Sequence, residues 1–162
     1  MHIETEVHSL LHTTRVAMLA TVGEALPLAS AVPFVPLNGW IDLLLHLSTL
    51  AAHTQNVLRD PRVSLLLMET DDPTKNPLAL KRLILQGTAH RIDCQGSTYP
   101  ALALQFTARF PEAAVTMALA DFQLWQLRIQ TAQFIGGFGR AYTAHADLPS
   151  LWQQQGRRES QT

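Results

Sequence analysis

At 162 residues, 47% hydrophobic and only 15% charged, the sequence specifies a single domain with a sizeable core and apolar surface left to cover, which predicts a homo-oligomer. A net charge of −1 and a pI near 6.6 exclude the basic footprint of a nucleic-acid binder or of a protein drawn to anionic lipid. The single cysteine, Cys94, excludes an internal disulfide; with no run of membrane-spanning length and no basic-then-apolar start, a cytoplasmic protein outside the membrane is expected.

Residues 4–13 place Val7, Leu10 and Leu11 on one side of a short helix. His8 and His12 share the spacing of two metal ligands, but no third ligand follows to match, so they are read as a solvated face and no metal is expected. Residues 15–22 (RVAMLATV) form a strand that Gly23-Glu24 turns. Residues 28–35 (LASAVPFV) form a second, whose Pro33 must lie at an edge, at a bulge or where no ladder bond is needed. Asn38-Gly39 is a hairpin signal, because both residues tolerate positive φ, and it pairs this strand with the next.

The central stretch, residues 40–67, reads WIDLLLHLSTLAAHTQNVLRDPRVSLLL. Its start, 41–47, is almost continuously apolar, the pattern of a strand covered on both faces. Ser48 and Thr49 stand where a helix N-cap belongs, and from Leu50 the period becomes helical through His53, Thr54, Val57 and Leu58. Asp60-Pro61 stops the helix before a second buried strand. Hydroxyls and free amides where a strand feeds a helix suit an anion, although most such steps are only caps.

Residues 70–77 (TDDPTKNP) are a polar loop, and 80–92 (LKRLILQGTAHRI) a long strand in which Gly87 marks a bulge or a close backbone approach. A helix over 99–110 ends near Pro111; strands follow at 122–129 and 131–138, the second running into Gly-Gly-Phe-Gly-Arg. That glycine-rich segment demands close approach or positive φ. From Leu148 a weak helix fades into a polar, mobile tail. Two regions result, 1–146 as the folded domain and 147–162 as the tail. Six or seven antiparallel strands with short helices predict a mainly β protein with α additions, a small barrel with a sandwich as the competing layout.

Four stretches, ASAVPFV (29–35), HLSTLAAHTQNVLRDPRVSLL (46–66), RLILQGTA (82–89) and FIGGFGRA (134–141), resemble in their order and spacing the FMN-binding split-barrel superfamily of pyridoxamine-5′-phosphate oxidase. Within it the chain is most similar to the haem-utilisation branch. The resemblance implies a six-stranded antiparallel split β-barrel, a homodimer with FMN at the subunit interface and a small-molecule substrate, haem among the candidates. It implies cofactor contacts at Ser30, Ala31 and Val32 beside the flavin ring and at His46 near the ribityl chain or ring edge. Ser48, Thr49, His53 and Thr54 would sit around the phosphate, and Arg82, favoured over Lys81, at the pyrimidine edge. Phe138 and Arg140 would face the substrate. Where the family often carries a Ser-x-Lys pair for the phosphate, this chain has Ala51 and His53.

No Ser-His-Asp or Cys-His set is present and the carboxylates cluster in loops, so no catalytic residue is assigned and any reaction must come from a cofactor. The resemblance thus implies an FMN-dependent oxidoreductase of the haem-utilisation type. The alternatives are a non-catalytic flavin or haem carrier, or a split-barrel dimer that has lost its cofactor. Pyridoxamine-phosphate oxidation itself would need more basic residues near the site than the sequence supplies.

Overall fold

One strand is long enough to organise the sheet. In the computed structural model, which describes residues 3–155, β6 (Phe122–Ile135) runs for 14 residues. One of its edges pairs with β5 (Arg82–Arg91) along that strand's whole length. Its other edge is divided: the first half pairs with β3 (Asp42–Ser48), the second with β7 (Ala141–His145). The β3–β6 pairing closes the order β3-β2-β1-β4-β5-β6 into a six-stranded antiparallel barrel, with β1 at Val16–Thr21, β2 at Leu28–Asn38 and β4 at Arg62–Met68. β7 and β8 (Leu148–Gln154) continue past the closure as a hairpin.

The two strands expected over 122–138 are therefore one. Gln130 is an extra residue where the register against β5 slips between Gln86 and Gly87, so the strand bends without breaking. A Cβ on Gly87 would lie 2.0 Å from the Arg128 carbonyl oxygen, which is the close approach that the sequence signalled.

Strand alternation fills the barrel with Phe34, Leu43, Leu45, Leu65, Leu83, Leu85, Leu127 and Phe134, and helix α1 (Ile3–Thr13) adds Val7, Leu10 and Leu11 to the same core. On the outside, helix α3 (Tyr99–Arg109) with the residue after it lays Phe106 and Phe110 against Val35, Leu44 and Leu124. β3 is thus covered on both faces, as its unbroken apolar run required.

Three elements depart from expectation. The Asn38-Gly39 hairpin joins the strands as anticipated, but only Gly39 takes positive φ and β3 begins at Asp42, making Gly39, Trp40 and Ile41 a bulged loop. Helix α2 (Ala52–Arg59) starts after Ala51, so Ser48 and Thr49 do not cap it, and its expected apolar face is half solvated, with Leu50 82% exposed while Thr54, Asn56 and Val57 are buried. The segment from Leu148 is a strand, because pairing with β7 lets Trp152 pack against Trp40 and Phe134. Residues 156–162, the end of the expected mobile tail, lie outside the described residues. The short helix α4 (Ala114–Met117) had no clear signal, being a single turn.

The outward side of β2, β1, β4 and β5 carries apolar residues in register. Met18 stands opposite Ala31 and Leu66, and Leu66 opposite Ile84; Val16 stands opposite Pro33, at the end of the β1 ladder. Val16 and Met18 are each 47% exposed. Among the described residues no helix is long and apolar enough to cross a membrane.

Candidate functional site

The tightest meeting of expected site residues is between β2 and α2. Ser30 Oγ and His53 Nδ1 share a hydrogen bond of 3.1 Å, although 23 residues separate them. Alternation explains the pairing: Ser30 shares the inward face of β2 with buried Val32 and Phe34, at the end of the strand that α2 covers, while Ala31 points out to the apolar face opposite Met18. Burial pushes the His53 imidazole below its ordinary pKa, so it is neutral near pH 7. In the tautomer that carries its proton on Nδ1, the ring donates to Ser30 Oγ and keeps its lone pair on Nε2.

The neighbouring corner is built differently from a phosphate cradle. Ser48 Oγ donates to Asp121 Oδ2 at 3.2 Å and accepts from the Leu50 amide at 3.2 Å, while the Thr49 amide donates to the Asp121 carbonyl at 2.6 Å. A carboxylate therefore stands where a phosphate was expected and would repel one. Thr54 is fully buried and its hydroxyl finds no partner, so it forms part of the helix's packing face.

His46 lies apart from these residues. It is on the outward side of β3, buried between the rings of Phe106 at 5.4 Å and Phe122 at 5.0 Å, with Thr116 Oγ1 at 3.5 Å from Nδ1 and no partner for Nε2. Burial lowers its pKa as well, leaving a neutral ring. Arg82 follows the parity of Ile84 and stands opposite Met68 at the margin of the apolar face; its Nη2 donates to the Leu78 carbonyl at 3.4 Å and its Nε is buried without an acceptor.

Arg140 is committed elsewhere. Its Nη2 donates to Glu6 Oε1 at 2.6 Å, and Lys81 Nζ lies 3.1 Å from Glu6 Oε2, so α1, the start of β5 and the glycine-rich turn are clasped by one carboxylate. Burial alone would raise the Glu6 pKa, but the hydrogen bonds and charges of Arg140 and Lys81 outweigh it and hold the group below its ordinary value. The turn itself has Gly137 and Gly139 at positive φ, as the sequence demanded, and it exposes Phe138. Sequence reasoning missed Glu6 and Asp121. Glu6 had a signal, since it lies four residues before Leu10 on the apolar side of its helix; Asp121 had none.

The expected residues thus fall into separate groups. Ser30 and His53 meet directly, Ala31 and Arg82 share the outward sheet face, and Val32 and Thr54 are packing residues. His46 and Arg140 belong to other parts of the molecule.

Comparison with known proteins places this geometry. The chain is 29% identical over 148 residues to the haem oxygenase HutZ of Vibrio cholerae, covering 90% of this chain and 82% of that protein. A heme binding protein from Mycobacterium smegmatis superposes with a TM-score of 0.79 at 28% identity over 91% of this chain, which spans only 59% of that longer chain. The crystal structure of HutZ, there described as a haem storage protein, superposes at 0.72 with 26% identity, covering 80% of this chain and 92% of the other. The family profile of pyridoxamine 5′-phosphate oxidase matches residues 3–136, which include all six barrel strands, and the chain belongs to that family, near its haem-utilisation branch.

Proposed function

We propose that this protein is a haem-binding member of its family that works as a homodimer joined through the outward faces of β2, β1, β4 and β5. The observation that carries the reading is the apolar face of Met18, Leu66 and Ile84 bordered by Arg82, whose Nε lacks an acceptor. A planar apolar macrocycle with acidic side arms matches that pattern of sheet and guanidinium. A neutral imidazole, the form that ligates iron, is available at His53, which meets Ser30 across β2 from that face and so reaches a ligand only at the strand end that α2 covers. Two of the similar proteins are described by their haem binding or storage, and HutZ also as a haem oxygenase; binding is the property those descriptions share.

An FMN-dependent oxidoreductase is the second reading, favoured by the family match. Bound flavin would supply electron transfer, and this chain's share would be to hold it; Asp121 beside Ser48 disfavours its phosphate at that corner. Titrating the purified protein separately with haem and with FMN decides between them. A saturable Soret band that shifts in His53→Ala supports the haem reading. Retained flavin absorbance without a Soret band replaces it with the flavin reading, and silence in both titrations removes both.

A further inference from the structure

One sizeable cleft belongs to none of the groups above. It has a volume of about 670 Å³, within the ordinary range for small-molecule sites, and opens between the β5–α3 connection and the α4–β6 connection. Its apolar wall is Phe122 and Leu124 from β6 with Met117 and Leu119 from the turn before it. Its polar lining residues are Arg91, Asp93, Tyr99 and Gln123, and the side chains of Arg91 and Tyr99 have no hydrogen bond or ion pair within the described residues.

The geometry points to a second ligand site here, taking a small amphipathic monoanion: an apolar body of two or three aromatic rings against Phe122, Met117 and Leu119, with a carboxylate or sulfonate on Arg91. One cation without a partner beside an apolar wall selects that class, because the guanidinium forks onto two oxygens while the wall excludes a fully hydrated ion. Asp93 sets the charge limit. It lines the same cleft, with Oδ1 already accepting from the Gln95 amide at 3.0 Å, and a second negative charge on the ligand would face it. Behind the wall, His46 stands opposite Leu124 in the ladder and against Phe122, with Nε2 buried and unpartnered.

The cleft contains its own reporters. Cys94, the only cysteine, is exposed on its lining, and Met117 is in its wall, whereas Met18 and Met68 lie on the outward sheet face. The probe is anilinonaphthalene sulfonate, added to the full-length protein and followed by methionine methyl NMR and by the rate of Cys94 alkylation with iodoacetamide. The site predicts saturable binding at one probe per chain, a shift of the Met117 methyl with Met18 and Met68 still, and alkylation slowed several-fold. Arg91→Gln should weaken the probe about tenfold, from the loss of one charge-assisted contact, without changing the melting temperature; Arg91→Lys should restore part of it. The proposal is overturned if the probe moves Met18 or Met68 and leaves Met117 alone, if Cys94 resists alkylation in the free protein, or if Arg91→Gln binds as tightly. It also fails if haem or FMN alone protects Cys94 equally, because the cleft would then be part of the cofactor site; failure of the haem reading by itself leaves it standing.

Discussion

Glu6→Gln tests the clasp that ties the N-terminal helix to the barrel. The side chain of Glu6 is 1% exposed, while its partners Lys81 and Arg140 are 33% and 41% exposed. A hydrogen bond to a charged group contributes about 1.5–3 kcal/mol, and breaking a buried pair costs more when the orphaned ion cannot reach water. Here both cations can rehydrate once the carboxylate is gone, and glutamine keeps an acceptor for one of them. The loss should therefore be about 2–3 kcal/mol in all, which for a domain of this size lowers the melting temperature by roughly 5–10 °C. The pH dependence gives the sharper test. Because the folded-state pKa of Glu6 is depressed, the unfolded chain binds its proton first as the solution is acidified. The stabilisation is complete above the unfolded value of about 4.3 and is lost as pH falls through the folded one. Thermal melts of wild type and Glu6→Gln at a series of pH values should differ most near neutrality and converge in acid. A gap that stays constant with pH, or no gap at pH 7, would refute the reasoning.

Four further outcomes follow from the geometry. Met18→Glu puts a charge at the centre of the outward sheet face and should convert a dimer to a monomer in light scattering without unfolding it; a wild type that is already monomeric contradicts the proposed assembly. Gly87→Ala forces a Cβ to within 2.0 Å of the Arg128 carbonyl oxygen, so it should cost about 3 kcal/mol or more in urea unfolding, and a neutral result would mean that the bulge yields freely. His46, held neutral by burial, makes the protein lose stability as pH falls below the ordinary histidine value of about 6.5; His46→Phe, packed between the same two aromatic rings, should flatten that slope, and an unchanged slope would clear His46 of it. Asp121→Asn removes the negative charge beside Ser48 and should raise FMN affinity in fluorescence titration if a phosphate enters that corner; identical affinities would place it elsewhere.

The division of β6 between β3 and β7 also sets where the glycine-rich turn lies. Past Gln130 β7 replaces β3 as the neighbour of β6 while β5 stays paired on the other edge, and the turn that joins β6 to β7 is tied to α1 through Arg140 and Glu6.

By itself the sequence determined the elements with strong periodicity or punctuation. The leucine run of β3 announced a strand covered on both faces, Asp60-Pro61 ended a helix, Gly87 marked a close approach, and Gly137 and Gly139 a left-handed turn. These are local consequences of side-chain pattern and allowed φ, and they hold wherever the chain goes next. Tertiary structure decided what depends on partners distant in sequence: that Ser30 would meet His53, that Asp121 would take Ser48, and that Glu6 would bind Arg140 across 134 residues. It also made residues 148–154 a strand, because a weakly patterned segment takes its conformation from the β7 edge it meets rather than from its own propensity.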